Sequence, residues 1–232
     1  MERARASIDC MLAQDLTAKM LIKVAEARDN DSANHLARTQ AYVDALVRHL
    51  PRHQRFDEHL TEARLDVLVK AVPLHDLGKI DVPDAVLRKP GRLDPVEIGV
   101  MRLHTTLGAK ALDDVILQTG AANGQEQLLG PCSLLRVARE IALYHHERWD
   151  GTGYPERLAG TAIPVSARLM ALADVFDALT TERVYKSAMT LEQAARTIEG
   201  AAGSIFDPEL VTAFLASKAD FSAIFKRHFD SP

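Results

Sequence analysis

The sequence predicts an all-α, single-domain protein, and three observations carry that expectation. Apolar residues recur at spacings of three and four through nearly every long segment, the period of one helix face. No segment alternates apolar and polar residues, as a half-buried strand would. Proline, glycine and short polar clusters fall between the periodic segments, where turns belong.

Taken in order, residues 8–29 place Ile8, Met11, Leu12, Leu16, Met20, Leu21 and Val24 on one face. That is more apolar surface than a terminal helix needs, so this helix is expected to pack against another chain or domain. Asp29-Asn30-Asp31-Ser32 breaks it and supplies caps for a helix over 33–50, which ends before Pro51. Residues 52–59 read as a polar linker. A third helix over 60–78 carries Leu65, Leu68, Val69, Val72, Leu74 and Leu77. Pro73 should kink it, because proline has no amide donor, and Gly78 should end it. Pro83 and Pro90-Gly91 punctuate the loop beyond.

Helices are expected over 94–102 and 103–117, then a surface loop over 120–131, rich in Gly, Asn and Gln. A helix over 133–147 runs up to the pair His145-His146. Pro164 suits a first helical position and should open a long helix to about 181, with Val165, Leu169, Leu172, Val175, Phe176 and Leu179 inward. Shorter helices over 190–202, 207–217 and 218–228 finish the chain.

The 232 residues suffice for one large domain, and 47% apolar with 26% charged residues is an ordinary globular balance. Net charge is −4, which does not imply the strongly basic face that duplex nucleic acid requires, so no duplex partner is expected. A phosphate-bearing ligand would need local cations or metal here. Cys10 and Cys132 lie far apart without metal or redox spacing, which points to a reducing, cytoplasmic setting. No run of 18 apolar residues and no signal peptide is present, so no membrane span is expected.

The chemistry centres on the stretch from His145-His146 through Glu147, Asp150, Gly151 and Gly153 to Tyr154-Pro155. Imidazole is the commonest metal ligand. Adjacent histidines on a helix point about 100° apart, so they can reach two neighbouring ions more easily than they can chelate one. Further His and Asp sites lie elsewhere. His35 follows Asp31 by four residues, His75 adjoins Asp76, His104 precedes Gly108 by four, and Asp174 sits in an apolar helix. Gly108 costs its helix about 1 kcal/mol relative to alanine, which suggests that something approaches closely over that face. A buried lone carboxylate such as Asp174 needs a partner or a metal. An N/O donor set of this kind suits divalent Fe, Mn, Ni or Zn, and a two-metal centre hydrolyses phosphate esters.

His75-Asp76 with Gly78-Lys79, His104 with Gly108, the stretch from His145 to Pro155, and Asp174 to Lys186 together resemble the HD-GYP family. That family is a branch of the HD metal-dependent phosphohydrolases that hydrolyses cyclic di-GMP to pGpG and GMP. The resemblance covers about residues 25–215 and implies a helical bundle with extra C-terminal helices. Residues 27–35 further resemble a subgroup found behind receiver domains in response regulators. The division implied is a linker or signalling helix over 1–25 and the phosphodiesterase domain over 26–232. A receiver domain, a regulatory partner protein or a second copy of the chain would be its partner.

The resemblance makes His35, His75, Asp76, His104, His145, His146 and Asp174 the metal ligands, with Asp76 bridging two ions. Asp31 would be the ligand of any third ion. It is one methylene shorter than the family's glutamate, and Ser32-Ala33 replaces the usual Thr-Gly, so a third ion is not expected. Lys79 would touch the scissile phosphate or its leaving group. Gly153, Tyr154 and Pro155 would frame the pocket, and Arg183 and Lys186 would hold phosphates or guanine. His49, His53, His59, Asp113, Asp114 and His228 match no motif and are expected at the surface.

The activity implied is metal-dependent hydrolysis of cyclic di-GMP to pGpG and/or GMP in bacterial signalling. The alternative is a weakly active or inactive domain that binds cyclic di-GMP or a partner protein. A third reading is a phosphohydrolase acting on mononucleotides, against which the Gly-Tyr-Pro loop and the Arg183/Lys186 pair speak.

Overall fold

Four aromatic rings from distant stretches meet in the core of the computed structural model. Tyr42 stacks on Phe221 with centroids 4.5 Å apart and meets Phe176 edge-on at 5.1 Å. Phe214 closes the group at 5.0 Å from Phe221. All four are essentially inaccessible to solvent, and edge-to-face contacts of this kind add about 0.5–1.5 kcal/mol each beyond the burial itself. The structure describes residues 33–51, 60–118, 133–182 and 188–228, with Leu16, Lys19, Met20, Lys23 and Phe56 besides.

The helices that bring these rings together are α1 (Ala33–His49), α2 (Glu62–Ala71), α3 (Asp84–Leu87), α4 (Pro95–Arg102) and α5 (His104–Gln118). After them come α6 (Ser133–Tyr144), α7 (Val165–Thr180), α8 (Leu191–Gly200), α9 (Pro208–Ala216) and α10 (Lys218–Arg227). No β-strand occurs among the described residues. The central packing is α5 on α6, α6 on α2 and α7, and α1 on α7, with α9 and α10 laid against α1. Leu134, Ala138, Ile141 and Ala142 are the buried stripe of α6, one face at helical spacing.

Most helix ends follow from local chemistry. Asp94 caps α4 by accepting the amides of Val96 and Glu97 at 2.8 and 2.9 Å, and Glu97 reaches back to the Asp94 amide at 2.8 Å. Such a reciprocal box is worth about 1 kcal/mol. Thr190 and Gln193 do the same for α8. Pro164 is the cap of α7 and not its first helical residue.

The segment 60–78 is not one kinked helix. α2 ends at Ala71, and two 3₁₀ turns follow, Val72–Leu74 and Leu77–Asp81, with His75 and Asp76 between them. Pro73 removes a donor, and the chain then tightens instead of bending. Gly78 explains the tightening. A Cβ there would overlap the His104 carbonyl and the Gly108 amide nitrogen. The two glycines therefore let the 77–81 turn lie backbone to backbone on α5, which is the close approach Gly108 foretold. The segment 133–147 likewise stops short as a helix, at Tyr144, so His145 and His146 stand in the turn after α6. In α7 the inward set is wider than expected and includes Arg168, Asp177 and Thr180, whereas Val165 and Val175 are only half-buried. In the stretch read as a polar linker, Phe56 is helical and 2% exposed, a core residue.

The helix expected over 8–29 lies mostly outside the described residues. Within it, Leu16 and Met20 are helical and exposed. Cys10 and Cys132, the loop 120–131, His53, His59, Asp31, Arg183 and Lys186 also lie outside the described residues.

Candidate metal centre

The turn between the two 3₁₀ segments, the start of α5, the end of α6 and the middle of α7 converge on one place. In a first group, a carboxylate oxygen of Asp76 and one ring nitrogen each of His104, His145 and His146 all lie within 4.8 Å of one another; the adjacent histidines thus meet at one place and not two, because they stand in a turn and not on a helix. In a second group the same is true of His35, His75 and Asp174. Asp76 faces both. Its Oδ1 lies 3.2 Å from His104 Nε2 and 3.6 Å from His145 Nε2, and its Oδ2 lies 3.1 Å from His75 Nε2. Every sequence-predicted ligand among the described residues is in one of the two groups.

The backbone sets the orientation of the rings. His75 Nδ1 lies 3.1 Å from the Val72 carbonyl, His104 Nδ1 2.7 Å from the Met101 carbonyl, and His145 Nδ1 2.9 Å from the Ile141 carbonyl. A carbonyl only accepts, so Nδ1 carries the proton and Nε2 of the neutral ring is a lone pair. These lone pairs converge. His104 Nε2 and His145 Nε2 stand 3.5 Å apart, and two lone pairs at that distance repel unless a cation lies near both. His75 Nε2 and Asp76 Oδ1 are buried without a well-formed hydrogen bond, Nε2 having only its 3.1 Å ion pair with Asp76 Oδ2. Orphaned polar atoms of this kind are costly in a protein interior, and a divalent cation would satisfy them. The residues present therefore fit a metal.

The protonation states of Asp76, His104 and His146 agree. Asp76 is held well below the usual carboxylate range, because Lys79 and His75 outweigh the burial that opposes them. Burial pushes His104 down to about 4 and, with the neighbouring His145 and His104, pushes His146 down as well. His75 is different. Burial works to lower it, yet the charges of Asp76 and Asp174 raise it to about 9.

The second group has a support that the sequence reading missed. Asp177, 1% exposed, accepts from His35 Nδ1 at 2.8 Å through Oδ2. Arg38, 2% exposed, holds the same carboxylate at both oxygens, Nε to Oδ1 at 2.6 Å and Nη2 to Oδ2 at 3.1 Å. Such a carboxylate–histidine pair fixes the tautomer and would leave Nε2 to hold a metal. Asp177 follows Asp174 by three residues in an apolar helix, and that same-face spacing was the signal available.

The turn after His146 folds back on itself. Gly153 is buried, and a Cβ there would overlap the backbone of Glu147 and Arg148. Glu147, 3% exposed, accepts the Glu156 amide at 2.7 Å, and burial raises its pKa. Asp150 holds Thr152 through amide and hydroxyl at 2.9 and 2.6 Å and pairs with Arg148 at 2.8 Å. The Tyr154-Pro155 bond is cis. These contacts lay Tyr154 on His146, with centroids 4.8 Å apart and planes at 23°. The guanidinium of Arg102 lies over the same ring, 4.8 Å from its centre. Sequence reasoning gave no role to Glu147 or Arg102. Lys79 is one-fifth exposed, with Nζ 2.7 Å from Asp76 Oδ2. A cavity of about 570 Å³ lies elsewhere, between α2, α5, α6 and the start of α7, and contains none of these ligands. Of the histidines without a motif, His49 pairs with Asp220 at the surface, at 2.9 Å.

A model of the HD domain family matches residues 19–210, and that family is metal-dependent. A cyclic di-GMP phosphodiesterase of Vibrio cholerae is 47% identical over 91% of this chain and 41% of its own length. A 3′3′-cGAMP-specific phosphodiesterase of the same organism is 39% identical over 88% of this chain and 35% of its own. The chain thus spans less than half the length of each of these relatives. The crystal structure of a cyclic GMP-AMP specific phosphodiesterase from V. cholerae has the same fold. It superposes with a TM-score of 0.55 at 19% identity, covering 93% of this chain and 53% of that one. No helix among the described residues is long and apolar enough to cross a membrane. With the two histidine–aspartate groups arranged on either side of Asp76, and with a family model matched over most of its length, the chain belongs to the HD domain family, in its HD-GYP branch.

Proposed function

We propose that the domain is a metal-dependent phosphodiesterase that hydrolyses cyclic di-GMP, and that its two ligand groups hold two divalent ions, Fe, Mn, Ni or Zn. The observation that carries this reading is the position of Asp76, with one oxygen toward each group. Its support from outside the structure is the substrate named for relatives at 37–47% identity. Divalent ions, when bound, supply the Lewis acid that binds the scissile phosphate and make water a nucleophile near neutral pH.

The chain's own residues do the rest. Asp76, ionised, would hold both ions at once. His104, His145 and His146 would complete one coordination sphere, and His35, His75 and Asp174 the other. Lys79 Nζ sits at the edge of the cluster, where it can give charge or a proton to the leaving oxygen. Tyr154, stacked on His146, would close one side of the pocket with Gly153 and Pro155. Arg183 and Lys186 would hold phosphate or guanine. Products would be pGpG and/or GMP. Residues 26–232 would form this domain, with 1–25 as the signalling segment. The exposed Leu16 and Met20 would give that segment its contact with a second copy or with a receiver domain of a longer protein.

Turnover of cyclic di-GMP and of pGpG by Mn-loaded protein tests the reading. The expected result is hydrolysis of cyclic di-GMP that Asp76→Ala abolishes together with bound metal. Binding of cyclic di-GMP without turnover, across Mn, Fe, Ni and Zn, would favour the rival reading of a binding module.

A further inference from the structure

Arg102 is the last residue of α4, two positions before His104. Its side chain is exposed, yet its guanidinium is held over the Tyr154 ring at 4.8 Å. That ring stacks on His146, a member of the group around Asp76. A cation therefore stands over a ring that itself stacks on a candidate ligand. No carboxylate pairs with Arg102 among the described residues.

Three features make this a binding group and not only a surface arginine. Asp76 and Asp174 stand at the cluster, and Lys79, paired with Asp76, is assigned above to the leaving oxygen. A cyclic dinucleotide carries two phosphates and two bases, and only the phosphate being cleaved can lie on the ions, so the remainder of the ligand has room for a donor beside the Arg183 and Lys186 assigned above. A guanidinium already ordered over a ring loses less freedom when it meets a ligand.

We propose that Arg102 is a substrate-binding residue of this site: its guanidinium fork takes a pair of acceptor atoms on the bound dinucleotide, away from the scissile bond. The proposal rests on the phosphodiesterase reading above. Two parts of a guanine dinucleotide present such a pair, the non-scissile phosphate and the O6/N7 edge of guanine.

The test compares the full chain, loaded with Mn, as wild type, Arg102→Met and Arg102→Lys. The substrates are cyclic di-GMP, 3′3′-cyclic GMP-AMP and cyclic di-AMP, with KM, kcat, equilibrium binding and metal content all read. Methionine keeps an apolar stem on Tyr154 and removes the fork. Arg102→Met is expected to raise KM and Kd for cyclic di-GMP roughly ten- to a hundredfold, with kcat and bound metal unchanged, the pattern of lost uniform binding. Lysine should recover part of the loss. An equal loss on every substrate that wild type binds identifies the phosphate, and a loss confined to guanine-bearing substrates identifies the base edge. Unchanged KM and Kd, or a fall in kcat together with metal content, would overturn the proposal and leave Arg102 as a prop for Tyr154. A wild type that cleaves normally beside such a variant sinks this inference alone. A wild type that neither binds nor cleaves any of the three sinks the phosphodiesterase reading with it.

Discussion

Asp177, and not Asp174, holds the His35 ring: its Oδ2 lies 2.8 Å from His35 Nδ1, while Asp174 Oδ1 stands 3.9 Å from Nε2. The two nitrogens therefore have separate duties. Nδ1 is fixed by a buried carboxylate that Arg38 grips at both oxygens, and Nε2 is left to face Asp174. Asp177 is ionised despite its burial, because His35 and Arg38 lower its pKa.

Asp177→Asn should weaken the ion held by His35, His75 and Asp174 by about 10- to 100-fold, the usual effect of losing such a support. The ion held by His104, His145 and His146 should keep its affinity. The amide also turns N–H groups toward Arg38, so some stability is lost, on the order of 3 kcal/mol for a broken buried pair. Competition titration with a chelator, read as two sites, checks this. Two unchanged sites would show that Asp177 serves the fold alone.

Gly78→Ala should lower stability by about 1–3 kcal/mol, the range for overpacking. The methyl would meet backbone on both sides, at His104 and Gly108, and backbone cannot rotate away. α5 must then lift from the 77–81 turn, which separates His104 from His75 and Asp76. Chemical denaturation and metal content measure the two effects. A variant within about 0.5 kcal/mol of wild type, as for an ordinary surface change, would contradict the close packing.

The helices and the members of the two histidine–aspartate groups were legible because each rests on local signals. Helical spacing marks α6 and α7, Asp94 with Glu97 marks the start of α4, and His75-Asp76 and His145-His146 are motifs read along the chain. What escaped depends on contacts between distant residues. Asp177 meets Arg38 across 139 positions, and nothing near Arg38 in sequence announces that pair. Phe56 looks like a lone apolar residue among charges, and its burial is decided by helices far along the chain. The 3₁₀ path from Val72 to Asp81 is imposed by α5 pressing on Gly78, so Pro73 alone could suggest only a kink. Arg102 gained a role only when the turn after His146 brought Tyr154 beneath it.

Metal affinity should rise with pH up to about 9 and level off above. In the metal-free fold the pKa of His75 is raised to about 9, from 6.5. A raised value means that its proton stabilises the metal-free fold fully below 6.5, and that this contribution is lost as pH climbs through 9. Ligation requires the neutral ring, so binding must release that proton. His104 and His146, pushed down, have none to release at neutral pH. Titration calorimetry in buffers of different ionisation enthalpy should find about one proton released per chain near pH 7.5. Affinity independent of pH over this range would contradict the assignment.

Asp76 should stand between two ions. Anomalous diffraction at the manganese edge, on crystals grown or soaked with Mn(II), would locate them. Two peaks per chain are expected, roughly 3.5–4 Å apart, one beside His104, His145 and His146 and one beside His35, His75 and Asp174, with Asp76 bridging them. A single peak, or two peaks that do not share Asp76, would contradict that placement.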